Sequence, residues 1–296
     1  MGDKTIKLGD LEVRRLGFGA MRLPGKDVWG PPEDPARARA VLKRVLELGI
    51  NFIDSSWYYG PHVANVLIAE TLHPYPKDLV IASKLGGTRT PHKGWAAFSR
   101  PEELRIGCEH DLRELRRDVL DVVHFRYVGA PGTVPFFESL DAMLDLQKEG
   151  KIRHLALSNV NAKQLAQALE KTPIVAVQNL FNIGGGSSQL AKMTHAEVEA
   201  PEAVLAACEE ENIAYLPFFP LAAGSLGNPH SAMEAAVERH RATPAQIAIA
   251  WLLARSPVML PIPGTSSPAH LEENWKAQDI ALTQDEVDAI ARDARA

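Results

Sequence analysis

Ile50-Asn51-Phe52-Ile53-Asp54-Ser55-Ser56-Trp57-Tyr58-Tyr59-Gly60 is the stretch on which the fold turns. It opens as a short apolar run, ends that run in a carboxylate, and places a phenol five residues later, directly before a glycine. A run this short, bounded by turn residues, reads as a buried strand that delivers acidic and phenolic groups onto one face. Upstream, Pro35–Leu48 carries Ala38, Val41, Leu42, Val45 and Leu48 at helical spacing and stops at Gly49. Downstream, Val63–Leu72 is helical again. Helix, glycine, buried strand, helix is the unit from which parallel sheets are wound.

The unit recurs along the chain. Leu16–Met21 gives a first core strand, and Leu79–Lys84, Val119–Phe125, His154–Ser158, Ile174–Gln178, Ile213–Pro217 and Val258–Ile262 give six more. Between and after them lie helical segments at Pro101–Leu115, Phe136–Glu149, Ala162–Leu169, Pro201–Glu210 and Pro268–Lys276, with Thr243 capping a further helix begun by Pro244. Eight short, near-continuously apolar strands at even intervals, with no linker between them, predict an α/β fold: one (β/α)8 barrel spanning residues 1–296 as a single domain. Two doubly wound halves account for the even spacing less well. Gly9-Asp10 joins Ile6–Leu8 to Leu11–Val13 as a hairpin able to plug one end of the barrel. Thr283 and Glu286 form a capping box for an extra C-terminal helix packed outside it. Gly184–Gly186 and Ser225–Ser231 read as loops on the C-terminal face.

Composition narrows the function classes. With 46% hydrophobic and 23% charged residues and a net charge of -5, the 296-residue chain matches a globular enzyme and argues against a nucleic-acid surface. Its two cysteines, Cys108 and Cys208, fall in helical patterns, as structural thiols of a reducing compartment do. No apolar stretch reaches membrane-spanning length, and Met1-Gly2-Asp3-Lys4 lacks the apolar region of a signal peptide, so a cytoplasmic protein with no membrane or nucleic-acid partner is expected, as a monomer or simple homo-oligomer. His62, His73, His92, His110 and His124 share no ligand spacing on strand ends, so no metal is expected.

In such barrels the polar residues at the C-terminal strand ends build the active site. Here those ends carry Asp54 with Tyr59, then Lys84, Arg126, Ser158 with Asn159, Gln178, and the segment Pro217–Pro220. The set is coherent: a carboxylate to hold a lysine ammonium, a phenol whose pKa that ammonium would lower, and amide and hydroxyl groups able to bind a carboxamide.

On these residues the sequence resembles the aldo-keto reductase superfamily over essentially its whole length. The pieces that match are Asn51–Gly60, Ile81-Ala82-Ser83-Lys84, Gly150–Arg153 running to Ser158-Asn159, Val177-Gln178-Asn179, and Ile262–Ser267 running to Leu271-Glu272-Glu273-Asn274. The resemblance implies reduction of an aldehyde or ketone by a nicotinamide cofactor bound extended on the barrel. It makes Tyr59 the general acid, with Lys84 hydrogen-bonded to its hydroxyl and paired with Asp54 to bring a phenol of pKa ~10 toward working pH. It assigns Ser158, Asn159 and Gln178 to the carboxamide and Phe218 to stacking on the nicotinamide ring. Leu221 and Gly224 follow the pyrophosphate, Thr265, Ser266 and Ser267 hold an anion at a helix N-terminus, and Glu273 and Asn274 contact adenine. The cofactor set further takes in Gly19, Ala20, Met21, Asp54 and Ile262, and Trp57, Tyr59 and Arg126 face the substrate.

Two departures bear on specificity. Family members commonly end Asp-Leu-Tyr-x-x-His on the fourth strand, but Asp121-Val122-Val123-His124-Phe125-Arg126 sets Arg126 at the histidine position. His124 lies on the same strand face ~6.6 Å deeper, where a satisfied core histidine is expected. A permanently charged Arg126 implies a substrate with an anionic group beside its carbonyl. Where NADPH-preferring members carry Arg or Lys, this chain has Gly264 and His270; with hydroxyls at the helix start and no acidic residue there, NADP(H) is expected over NAD. Gly30-Pro31-Pro32, Tyr59–Val63, Arg126, Pro217–Leu221 and Ile262–Ser267 together are similar to a bacterial subgroup that interconverts pyridoxal and pyridoxine. A broad aldehyde reductase acting on small aromatic, aliphatic or sugar carbonyls is the alternative enzyme. A non-catalytic, cofactor-sensing subunit is the alternative from another class. The loops Arg89–Phe98 with Trp95, Val128–Val134 and Asn182–Glu199 are expected to wall the substrate pocket.

Overall fold

In the computed structural model, which describes residues 4–129, 133–183, 201–220 and 231–294, the chain opens with the expected hairpin. Strands β1 (Thr5–Leu8) and β2 (Leu11–Arg14) pair antiparallel around Gly9, whose φ of 66 an L side chain rarely adopts. Leu8 and Val13 are buried in the cluster that fills the barrel's interior. Asp10 pairs with Arg153 and bonds His154 at 2.5 Å, which fastens the plug to the start of a barrel strand.

Seven strands run parallel in the order β3 (Phe18–Gly19), β4 (Phe52–Asp54), β5 (Val80–Arg89), β7 (Leu120–Arg126), β8 (Ile152–Ser158), β9 (Ala176–Leu180) and β10 (Ala214–Phe218), with β6 (Trp95–Phe98) an antiparallel partner of β5 alone. The expected eighth stave, 258–262, closes the ring without a regular ladder. Tyr215 N donates to Val258 O at 2.8 Å, Leu260 N to Tyr215 O at 2.9 Å, and Gly17 N to Pro261 O at 2.9 Å. Pro261 and Pro263 have no N–H, so this segment accepts on one edge where a strand would also donate. The first core strand is shorter than its apolar run: Gly19 already pairs with Asp54, the last residue of β4, and Ala20–Arg22 turns into a 3-10 helix.

Residue parity separates two cores. Phe52, Val80, Ala82, Val122, Ala156, Ala176, Ala214 and Leu216 point into the barrel with the plug, while their strand neighbours, such as Ile53, Ile81, Val123, Leu157 and Val177, face the helices. Those helices are α1 (Pro35–Glu47), α2 (Val63–Leu72), α3 (Pro101–Glu114), α4 (Phe136–Lys148), α5 (Ala162–Leu169), α6 (Pro201–Glu210), α7 (Ser231–His240), α8 (Pro244–Arg255), α9 (Pro268–Lys276) and the capped C-terminal α10 (Gln284–Asp293).

Two differences from the sequence reading are local. Strand β5 continues past Lys84 and folds back as a β5–β6 hairpin, pairing Gly86 with Phe98 and Arg89 with Trp95, where a loop was expected. Gly86 takes φ 104 there, and a Cβ on it would stand 2.2 Å from Arg126 O. Helix α7 starts at Ser231, at the end of a stretch read as loop; Asp293 of α10 accepts from Ser231 Oγ and Ala232 N, capping that start from a distant segment. Cys108 and Cys208 are both free and buried. Among the described residues no helix is long and apolar enough to cross a membrane.

Candidate functional site

The inward parity of each strand continues to its C-terminal end, and the side chains there change from apolar to polar. Asp54 follows Phe52, Lys84 follows Ala82, Arg126 follows His124, Ser158 follows Ala156, and Gln178 follows Ala176. Lys84 Nζ donates to Asp54 Oδ2 at 2.7 Å and to Ser55 O at 2.9 Å, and Gln178 Nε2 donates to Asp54 Oδ1 at 2.8 Å. The ion pair is nearly sealed, with side chains 2% and 4% exposed. A desolvated pair persists only when its remaining lone pairs and protons are bonded, and here both carboxylate oxygens are. Behind it Ser55 Oγ donates to Asn65 Oδ1 at 2.7 Å and Asn65 Nδ2 to Asp111 Oδ1 at 2.6 Å, and burial pushes the Asp111 carboxyl up to about 7.

Tyr59 reaches the pair from the turn after β4. Tyr59 N bonds Ser56 O, His62 N bonds Trp57 O, and Gly60 takes φ 94, where a Cβ would stand 2.5 Å from that of Val63. The Lys84 ammonium lies 4.9 Å from the centroid of the Tyr59 ring. Its hydrogen bonds go to Asp54 and Ser55, so the contact with Tyr59 is to the ring, where the hydroxyl was expected. The phenol's pKa is correspondingly raised, by burial first and by the Asp54 charge, with Arg126 opposing. The direction is opposite to the lowering expected from Lys84.

These groups open onto a cavity of about 270 Å³. Of the residues singled out from sequence, Gly19, Met21, Asp54, Tyr59, Lys84, Arg126, Gln178, Phe218, Ile262 and Gly264 line it. Half-buried Arg126 donates from Nη1 to Ser158 Oγ at 3.1 Å and lies over the Phe218 ring, 5.2 Å from its centroid. Ser158 is therefore covered by the guanidinium. Asn159, at φ 63, donates to Tyr127 O and accepts no place in the lining; it braces the strand ends. Trp57 is a correction as well. It does not line the cavity but packs against His62, His110 and Phe98, and Tyr58 takes the wall position.

The remaining expected cofactor residues lie beside the cavity. Gly19 and Gly264 let two segments touch, since a Cβ on Gly264 would meet Gly19 O at 2.6 Å. Buried Thr265 and Ser267 and exposed Ser266 precede α9, with Ser267 N bonded to Thr265 Oγ1, and His270 is exposed in its first turn. Glu273 accepts from Thr243 Oγ1 at 2.6 Å, and Asn274 is buried on the same helix. Ala20 is buried outside the lining, and Leu221 and Gly224 lie outside the described residues. Sequence reasoning anticipated the walls at Trp95, Val128 and the Pro217–Pro220 segment but missed Arg22 and Gly87. Arg89, at the start of the expected wall segment, lies 4.1 Å from the Trp95 ring and donates to Val28 O and Asp27 O, tying the hairpin to the rim. Nothing in the local sequence pattern marks Arg22.

The histidines also differ from expectation. His62 and His110, far apart in sequence, meet at Glu114. His124 is a core histidine but a half-satisfied one: Nδ1 lies 3.4 Å from Ser83 O, and Nε2 is buried without a partner among the described residues. Burial, with Lys84 adding to it against Asp54, pushes His124 down to about 4. An unfolded histidine titrates at ~6.5, so between those values the unfolded chain takes up the proton and the folded one does not. Stability is then complete above ~6.5 and falls as pH drops toward 4, by about 2–3 kcal/mol at pH 4.5. Urea unfolding at pH 7 and 4.5 should show a smaller loss for His124→Leu than for the wild type; equal losses would place the acid sensitivity elsewhere.

Comparisons with known proteins bear on the family and the fold. The aldo/keto reductase family model matches residues 15–293. Pyridoxine 4-dehydrogenase of Escherichia coli (strain K12) is 41% identical over 300 residues, covering 99% of this chain and 100% of that protein. Among solved structures, a thermostable aldo-keto reductase in complex with the inhibitor epalrestat is 26% identical with a TM-score of 0.80, and 99% of each chain is covered. An aldo-keto reductase from Klebsiella pneumoniae in complex with NADPH is 25% identical with a TM-score of 0.76, covering 99% of this chain and 95% of that one.

Proposed function

The chain belongs to the aldo/keto reductase family, and from that membership we propose that it is an NADP(H)-dependent oxidoreductase interconverting pyridoxal and pyridoxine. The observation that carries the reading is the convergence of Tyr59, the buried Lys84–Asp54 pair and the Arg126 guanidinium on one small cavity.

The residues fit the cofactor. Phe218 offers a ring face, Gln178 keeps Oε1 to accept from a carboxamide while Nε2 holds Asp54, and Ser158 and Asn159 stand at the adjoining strand end. Thr265, Ser266, Ser267 and His270 at the start of α9 would take the 2′-phosphate, where hydroxyls and the helix N-terminus favour an anion. When bound, NADPH supplies a hydride from C4 of its nicotinamide.

The protein's part is to bind the carbonyl, orient it and move one proton. Tyr59 Oη donates that proton to the carbonyl oxygen in the reductive direction, and the phenol held above its ordinary pKa keeps it available across the neutral range. Lys84 keeps Asp54 neutralised in the barrel and presents positive charge at the Tyr59 ring, which stabilises the phenolate left behind. Tyr58, Trp95, Val128 and Phe219 supply apolar walls that exclude water and suit an aromatic ring. Arg126 would meet the ionised 3-oxygen that flanks the aldehyde of pyridoxal. The same walls would admit other aromatic aldehydes, which keeps a broad aldehyde reductase as the second reading.

Comparing kcat/KM for pyridoxal and for uncharged benzaldehyde, with NADPH and with NADH, separates the two. A hydrogen bond to a charged group contributes about 1.5–3 kcal/mol, so Arg126→His should cost pyridoxal roughly 10- to 100-fold while benzaldehyde changes little. Equal losses on both substrates would remove the anion-pairing role. Turnover of benzaldehyde without pyridoxal would leave a reductase of a different substrate.

A further inference from the structure

On the outer side of the turn that carries Tyr59, three side chains from two elements converge. His110 and Glu114 lie at i and i+4 on α3, hence on one helical face, and His62 immediately precedes α2. One ligating atom from each lies within 4.8 Å of the others. His62 Nδ1 is 2.5 Å from Glu114 Oε1, and His110 Nδ1 is 3.6 Å from the same oxygen. We propose that His62, His110 and Glu114 form a binding site for a divalent transition-metal ion of the Zn²⁺ class, apart from the reductase cavity.

The chemistry of the set favours that ion. Two imidazoles and one carboxylate make a three-ligand group of the kind that holds Zn²⁺ with a fourth position open to water. Borderline ions prefer such nitrogen and oxygen donors, whereas Mg²⁺ and Ca²⁺ prefer oxygen alone. Tetrahedral ligands at bond lengths of about 2.0–2.1 Å stand ~3.3 Å apart, so the three atoms need only adjust by an ångström or so. Glu114 supplies an independent sign of a missing partner. Its side chain is 7% exposed, and its second oxygen, Oε2, is buried without a hydrogen bond among the described residues. A buried carboxylate oxygen left unbonded is costly, and a cation at the carboxylate would relieve it.

The surroundings allow both entry and a solvent-sheltered inner wall. His62 is 46% exposed and His110 27%, so the site opens to solvent on their side. On the inner side the Trp57 ring stacks on His110 at 5.1 Å and lies 5.5 Å from His62. Arg113 is the group that opposes the ion: its Nη2 contacts His110 Nδ1 and stands 3.9 Å from Glu114 Oε1. Its side chain is 65% exposed, and such surface contacts hold weakly, so it can swing into water when the metal arrives. An occupied site would tie α3 to the turn that carries Tyr58 and Tyr59.

The test is isothermal titration of untagged, chelator-treated protein with Zn²⁺ alone, with Trp fluorescence as a second readout. One saturable equivalent is expected. Deleting a ligand in His62→Ala or His110→Ala should weaken it by more than the roughly 10- to 100-fold that loss of an outer hydrogen-bond partner costs. Arg113→Ala should bind more tightly, because a competing cation is gone, and the loop variant His92→Ala should match the wild type. Buried Glu114 is left intact, since its replacement could unfold α3, and circular dichroism verifies that the histidine variants fold. Absence of saturable binding, or binding that survives both histidine substitutions, overturns the site.

Discussion

Tyr59→Phe is expected to lower kcat for NADPH-dependent aldehyde reduction by about 100- to 10,000-fold, the usual contribution of a positioned proton donor. The substitution removes one oxygen and keeps the ring, which is 6% exposed and faces the Lys84 ammonium at 4.9 Å. Folding and cofactor affinity should therefore change little, and the loss should fall on the chemical step. Because burial and the Asp54 charge hold the phenol's pKa above its ordinary value, the wild-type rate of reduction should show no loss of its acid as pH rises through neutrality. Steady-state rates together with the NADPH dissociation constant, measured by fluorescence, check both parts. Turnover within tenfold of wild type would mean that a group other than Tyr59 delivers the proton.

Lys84→Met should cost both stability and activity, and the two losses have different origins. The ammonium is one half of a desolvated pair, and removing it leaves Asp54 buried as a charge supported only by Gln178. Breaking such a pair from one side typically costs about 3–5 kcal/mol. Adding Asp54→Asn should restore much of that stability, because a neutral amide beside Gln178 no longer needs a counter-ion, while reductase activity stays lost. Urea unfolding of the single and double variants, with kcat measured on each, decides the matter. A cost below about 1 kcal/mol for Lys84→Met would show that water reaches the pair.

Much of this architecture was legible before any coordinate was known. The plug hairpin, the alternation of strand and helix and the capped C-terminal helix follow from Gly9-Asp10, from apolar runs closed by Gly49 and Gly150, and from Thr283 with Glu286. The lining positions Asp54, Lys84, Arg126, Gln178 and Phe218 were accessible for a similar reason: each follows, at the next inward position, strand residues already marked by burial at every second position. Turns broke that logic. Trp57 and Tyr58 follow the same strand, yet the indole packs outward on His110 while the neighbouring phenol takes the cavity wall. No period assigns a direction to a side chain in a turn.

What the sequence alone determined is therefore what local rules control: element type, barrel topology, and which strand residues face inward, because a strand's two-residue repeat is a property of its own backbone. Tertiary structure alone decided how the last segment closes the ring through Pro261, and that the β5–β6 hairpin leans over the mouth with Arg89 as its tie. It also decided that Lys84 meets the ring of Tyr59 and that His62 meets His110 across 48 residues of chain. These depend on contacts between segments distant in sequence, where packing and desolvation select one arrangement from many that the local pattern permits equally.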